Sequence, residues 1–374
     1  MFKRHNKDST TSTAKSPPFS ATKWIRLFAP DLITMALMGA LGLGIYEAPP
    51  APSRSFPVFF QDGQVVYPEF AYPLRHEIVP IYAAALIAFF APFFFFCLFQ
   101  SRRRSVYDLL ATTMGLLKSL ITGAVFQVWI KWLIGGLRPH FYAVCQPNIP
   151  QGQAPSGNGF AALMYDRSVC TGDPKQINDA LESFPSGHST AAFAGLIYLA
   201  LYLNAQLKVM SAHNSQYWKM ILLFCPVLGA VLIAGALTVD KYHNWYDVVA
   251  GGIIGTAVSL VAFRSTFASV WDFRFNHIVL PRTTSAFHRQ PWLDGPHNAP
   301  YFGYQVPVDA HPSSLPFTRE GGWGSGQEAY AGAPFDATSM LSMGGSGGAG
   351  NALNGGRRDV GPDGVGYAGR PGIV

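Results

Sequence analysis

The chain has 374 residues, 49% of them hydrophobic, 14% aromatic and only 13% charged. That charge content is about half the usual share for a soluble domain, which argues against an ordinary water-soluble globule and for a bilayer protein. The net charge of +6 would suit nucleic acid, but the basic residues stand in short clusters between apolar runs, the pattern of a cytoplasmic membrane face.

Residues 1–26 are polar and basic (Lys3, Arg4, Lys7, Lys15, Lys23, Arg26) and carry no clear cleavage site for a signal peptide. They are expected to form a cytosolic tail. Residues 27–270 hold six segments close to the 20 or so apolar residues that a spanning helix needs: 32–46, 78–99, 109–130, 191–207, 220–237 and 248–263. The expected fold class is all-α, a six-span transmembrane helical bundle. The first segment is short and bounded by Asp31 and Glu47. The third carries Lys118, which is expected to snorkel toward the cytosolic end.

Basic connections set the orientation. Arg102, Arg103 and Arg104 fill the second connection, and Lys208 and Lys219 flank the fourth, so these loops and the N-terminus are expected in the cytosol. The connections at 48–77, 135–185 and 238–246 then lie on the lumenal or extracellular side. Residues 271–374 are rich in Gly, Pro and Ser and cannot bury enough apolar surface to order themselves, so they are expected to be a mostly disordered cytosolic tail. Cys97 and Cys225 fall inside apolar runs. Cys145 and Cys170 share one long polar loop: in an oxidising lumen they can pair, closing a loop worth roughly 3 kcal/mol, and otherwise they are free thiols.

Three polar clusters fall on one side of the membrane. Lys131 and Arg138 are seven residues apart, two helical turns, and precede Pro139. Two cations there suit an anion such as phosphate, although basic residues at a span end often only anchor it. Phe184-Pro185-Ser186-Gly187-His188-Ser189 leads into the fourth span. It offers free helix N–H groups, a close backbone approach at Gly187, the Ser186 hydroxyl and a proton donor in His188. The bland alternative is a Ser cap beside an interfacial His. Asp240-Lys241-Tyr242-His243-Asn244-Trp245-Tyr246-Asp247 precedes the sixth span. An interfacial aromatic belt accounts for Trp245 and Tyr246. It does not account for His243 and Asp247, four apart, where a carboxylate can fix the imidazole tautomer and free the other nitrogen as nucleophile.

Together these clusters resemble the type 2 phosphatidic acid phosphatase superfamily, the lipid phosphate phosphatases and diacylglycerol pyrophosphate phosphatases. The likeness rests on Lys131 with Arg138-Pro139, on Pro185-Ser186-Gly187-His188 and on His243 with Asp247. It extends to the strings from Arg138 to Cys145, Val169 to Asp173 and Ser183 to Ser189, and covers roughly residues 25–265. The resemblance implies that His243 attacks phosphorus to form a phosphohistidine, that Asp247 orients it, and that His188 protonates the leaving lipid oxygen. It implies that Lys131, Arg138, Ser186 and Gly187 bind the phosphate, with no metal and no cofactor. One departure stands out: the third motif should begin Ser-Arg, and those positions are Ala236 and Leu237. Losing one such donor can remove about 3–4 kcal/mol of transition-state stabilisation. Lys241, one turn past Leu237, is the first candidate replacement, ahead of Arg167 and Lys175.

The expected function is dephosphorylation of phosphatidate, diacylglycerol pyrophosphate or a related lipid phosphate, with the bilayer and that lipid as partners and no nucleic acid. Homo-oligomer formation is compatible with this reading. The alternatives are a catalytically impaired relative that binds lipid phosphates or serves as a membrane scaffold, a polyisoprenyl diphosphate phosphatase of the same superfamily, and a transporter. The transporter fits poorly because the charges gather at one membrane face. The sequence does not distinguish endoplasmic reticulum, Golgi, vacuole or plasma membrane.

Overall fold

A computed structural model describes residues 20–49, 54–59, 64–103, 105–149, 154–211 and 214–280. Six long helices carry the fold: α1 (Ala21–Tyr46), α2 (Ile81–Arg103), α3 (Val106–Leu133), α6 (Gly187–Leu207), α7 (Tyr217–Val239) and α8 (Trp245–Thr266). Two short ones, α4 (Phe141–Cys145) and α5 (Pro174–Ala180), lie between α3 and α6. Each long helix contains a stretch long and apolar enough to cross a membrane. Among the described residues the extended pairing is limited to isolated bridges.

The helix ends follow from local chemistry. Ser105 caps α3, its hydroxyl accepting from Asp108 N at 3.2 Å. Ser186 caps α6, and Asn244 with Asp247 forms a reciprocal capping box at the start of α8. Two expectations change at α1. The helix begins at Ala21, well before residue 32 and inside the stretch read as a tail; residues 1–19 lie outside the described set. Lys118 does not snorkel: its Nζ meets Asp31 at 2.6 Å. Pairing neutralises both charges, so α1 can carry Asp31 through its length and α3 can carry Lys118 in its interior.

α6 is the central helix and packs against α2, α3, α7 and α8, while α1 packs on α3. Tyr198, Tyr202, Phe96, Phe263 and Phe267 fill the core beside it, all nearly inaccessible. Side chains such as Leu37, Phe94 and Leu232 point outward and are exposed, as suits a bundle whose solvent is lipid. α8 approaches the start of α6 so closely that a Cβ on Gly251 would stand 2.5 Å from Ser186 O.

At the end where α3 stops and α6 starts, a second apolar cluster forms a cap. Phe56, Val58, Phe141, Val144, Tyr165, Ile177 and Leu181 are buried in it. Phe56 and Tyr165 exchange two backbone hydrogen bonds of 2.8 Å. Cys145 and Cys170 are bonded to each other within it. At the opposite end, residues 271–280, expected to be disordered, fold back on α6. Buried Lys208 donates to Phe273 O and to Asn276 Oδ1 (2.6 Å), and its Nζ lies 2.9 Å from His277 Nδ1. Asn276 and His277 are both buried, so this clasp gives the segment polar partners that its composition did not suggest. The remainder of the expected tail, 281–374, lies outside the described residues.

Candidate active site

Successive spans run in opposite directions, so the end of α3, the start of α6, the end of α7 and the start of α8 meet at one end of the bundle. There the three polar clusters converge. Lys131, in the last turn of α3, is buried, and so are Arg138, Ser186, His188, His243 and Asp247.

His243 sits in the turn between α7 and α8. Its N–H donates to Leu237 O at 3.1 Å, which fixes the turn against the last turn of α7. Its Nδ1 faces Asp247 Oδ2 at 3.5 Å. Asp247 Oδ2 also accepts from Asn244 N (3.0 Å) and from the Ser183 hydroxyl in a short hydrogen bond. Several donors therefore hold the carboxylate that holds the imidazole. Burial pushes His243 below its ordinary value, against the Asp247 contact that raises it, so the ring is neutral near pH 7 and its Nε2 is free to act as a nucleophile.

His188 stands at the first turn of α6. Its ring lies 6.4 Å from that of His243, the planes 70° apart. Among the described residues its buried Nε2 has no hydrogen-bond partner, and the nearest carboxylate is Glu77 Oε2 at 3.8 Å. Glu77 comes from the connection before α2, and burial raises its carboxyl above the usual range. Ser186 N donates to Asp247 O at 3.0 Å, tying the start of α6 to the start of α8. Gly187 faces Gln127, whose side-chain atoms would be 3.4 Å from a Cβ there.

Lys131 and Arg138 converge on one acidic group, Asp179 at the end of α5. Its Oδ1 is 2.6 Å from Arg138 Nη2 and 3.7 Å from Lys131 Nζ. The Asp179 side chain is half exposed, yet the surrounding protein desolvates its carboxyl enough to raise it, and Arg138 and Lys131 outweigh that and hold the group low. The guanidinium of Arg138 also lies 5.8 Å from the Tyr242 ring centroid. The chain between Lys131 and Arg138 turns at Gly135, at φ +58°, where a Cβ would collide with Arg54 at 2.2 Å. Arg54 donates to Leu181 O (2.6 Å), Lys131 O (2.9 Å) and Trp132 O, bracing the turn from the first loop.

The region around the missing arginine is plain. Leu237 is fully buried in the last turn of α7. Lys241 takes a left-handed backbone at φ +63° and sets its Nζ 4.5 Å over the Tyr72 ring. Its carbonyl oxygen lies 3.0 Å from His140 Nδ1, so that nitrogen carries the ring proton. Arg167 donates to Asn178 Oδ1 at 2.7 Å on the cap, and Lys175 is exposed. Sequence reasoning missed Asp179, Glu77 and Arg54. Glu77 and Arg54 sit in loops and Asp179 in the short α5, all without motif spacing, and only the fold brings them in. Ser183 was legible as part of the string before His188, but its bond to Asp247 was not. Among the described residues no group of three or more His, Cys, Asp or Glu side chains could hold a metal ion.

The sequence profile of the PAP2 superfamily matches residues 112–271. That span holds every one of these motif residues. A protein of Arabidopsis thaliana named lipid phosphate phosphatase 2 is 32% identical over 210 residues, covering 56% of this chain and 69% of that protein. Lipid phosphate phosphatase 1 of the same plant is 32% identical over 240 residues, covering 63% and 67%. Diacylglycerol pyrophosphate phosphatase 1 of Saccharomyces cerevisiae is 33% identical over 172 residues, covering 46% and 57%. No solved structure gives a significant match.

Proposed function

Because the chain belongs to the PAP2 superfamily and is a phosphatase of that type, we propose that it is a multi-span membrane enzyme that dephosphorylates phosphatidate, diacylglycerol pyrophosphate or a related lipid phosphate without a metal. The observation that carries this reading is the pair of neighbouring imidazoles, set edge to face with 6.4 Å between centroids, with an Asp behind one ring and two cations beside them.

In the proposed reaction His243 Nε2 forms a bond to phosphorus as the P–O bond to the lipid breaks. The leaving lipid oxygen takes a proton from His188. Water then attacks the phosphohistidine, giving its proton to His188, and inorganic phosphate departs. Asp247 stabilises the charge that develops on His243. Lys131, Arg138, the Ser186 hydroxyl and the Gly187 N–H hold the phosphoryl oxygens as charge builds. A site at the end of the spans suits a substrate whose tails stay in the bilayer. The basic connections at the other end favour a site on the lumenal or extracellular side.

One observation favours a second reading. Buried Leu237 supplies no cation where the resemblance calls for arginine, which suits a protein that binds lipid phosphates and turns them over slowly or not at all. The test is phosphate release from phosphatidate and diacylglycerol pyrophosphate in detergent–lipid micelles with excess chelator, beside His243→Ala. Chelator-resistant release that the mutant loses is expected. No release above the mutant from folded protein would overturn the enzymatic reading in favour of the binding protein.

A further inference from the structure

Asp179 belongs to the site but has no part in the proposed chemistry. One of its carboxylate oxygens bridges Arg138 and Lys131, at 2.6 and 3.7 Å, the same cations that the mechanism gives to the phosphate. Its place is built in. Just beyond it, Arg138 N donates to Ala180 O at 2.9 Å and Gly136 N to Leu181 O at 3.0 Å, so backbone bonds join the Asp179 segment to the Arg138 segment. Just before it, Asp173 caps α5, accepting from Gln176 N at 3.0 Å. Yet the Asp179 side chain is 49% exposed while that of Arg138 is 5% exposed. Asp179 therefore has a solvent-facing side toward which its carboxylate can turn, whereas the buried arginine has none.

A cation pair at headgroup level faces a particular difficulty. The bulk lipids of a bilayer are phosphodiesters, present in great excess, each phosphate carrying one negative charge. An open pair of cations would be filled by them. We propose that Asp179 is a specificity-determining residue, a built-in single charge that keeps phosphodiester headgroups off Lys131 and Arg138 and yields to phosphomonoesters and diphosphates. Replacing one monoanion by another gains little Coulomb energy, and the tethered carboxylate holds the advantage of its high effective concentration. A phosphomonoester carries about −1.5 to −2 charges at pH 7 and presents three terminal oxygens, so it gains where the diester does not. The inference rests on the reading of Lys131 and Arg138 as the phosphate site. It names what that site rejects.

The test compares wild type with Asp179→Asn as purified full chains in uncharged detergent. Binding of inorganic phosphate and of dimethyl phosphate, a minimal diester, is followed by titration calorimetry. Wild type is expected to bind inorganic phosphate and ignore dimethyl phosphate. Asp179→Asn is expected to bind dimethyl phosphate, gaining about tenfold or more, and Asp179→Glu is expected to restore rejection. In the activity arm, added phosphatidylglycerol should inhibit phosphatidate hydrolysis by Asp179→Asn and spare wild type. Unchanged rejection of dimethyl phosphate by Asp179→Asn would overturn the proposal. So would weaker binding of both anions at unchanged melting temperature, since Asp179 would then be only a brace for Arg138. If Asp179→Asn does not fold, dimethyl phosphate binding by Asp179→Ser decides in the same way. Rejection lost in the variant with no hydrolysis by wild type would sink the enzymatic reading and leave the proposal standing. Binding of neither anion by either protein would overturn the proposal, and phosphate release would still decide the enzymatic reading.

Discussion

At the scale of single residues, the proposed chemistry turns on His243 and its supports. Burial lowers its proton affinity from the ordinary value of 6.5, and a nucleophilic imidazole must be unprotonated. As pH falls, kcat/KM should therefore hold through pH 6.5 and drop only on passing the lowered value. A pH–rate profile whose acid limb lies above pH 6.5 would contradict this. Asp247→Asn removes a contact that favours the charged ring, so the acid limb should move further down while the plateau falls by about 10⁴-fold, as in the Ser-His-Asp triad. Ser183→Ala removes a donor to that carboxylate. A hydrogen bond to a charged group is worth about 1.5–3 kcal/mol, so kcat should fall by roughly ten- to hundredfold with KM little changed. A change confined to KM would mean that Ser183 touches substrate instead of supporting Asp247.

The elements explain how residues more than a hundred positions apart meet. Gly251 sits where a Cβ would press on Ser186 O at 2.5 Å, and backbone cannot give way as a flexible side chain can. Gly251→Ala should cost about 1–3 kcal/mol, as overpacking does, and should also separate Asp247 from Ser186, whose N–H donates to Asp247 O. A lower melting temperature together with a lower kcat is expected; a stability loss with full kcat would show that the α6–α8 seam does not position the site. Much of this frame was legible in the sequence. The apolar runs mark the spans, and the polar clusters holding Lys131, Arg138, His188, His243 and Asp247 stand at span ends, where the family resemblance gave them the roles now proposed and the structure brings them together. Less legible was α1, because Asp31 reads as a boundary until its partner Lys118 is known. The fold-back of 271–280 was hidden too, since its stability comes from Lys208, more than sixty residues away. Asp179 could not be found from pattern at all: one acid among several in a polar connection looks like any solvated charge.

At the scale of the whole molecule, the bundle has two unlike ends. One holds the neighbouring imidazoles and the cap with its bonded Cys145 and Cys170. The other holds Arg102, Lys219 and Arg264 at the helix termini. Two physical rules bear on these ends independently. Lys and Arg near span ends favour the cytosol, and disulfides persist in oxidising compartments. Both rules support the proposed placement of the cap and the site away from the cytosol. Impermeant maleimide can check this in sealed vesicles whose cytosolic face is outward, using single cysteines at two exposed positions. Gln216→Cys, between α6 and α7, should label at once, whereas Lys175→Cys, on the cap, should label only after detergent opens the vesicles. The reverse pattern would put the active site in the cytosol, where the Cys145–Cys170 bond would face a reducing pool and the substrate would have to arrive from the opposite leaflet.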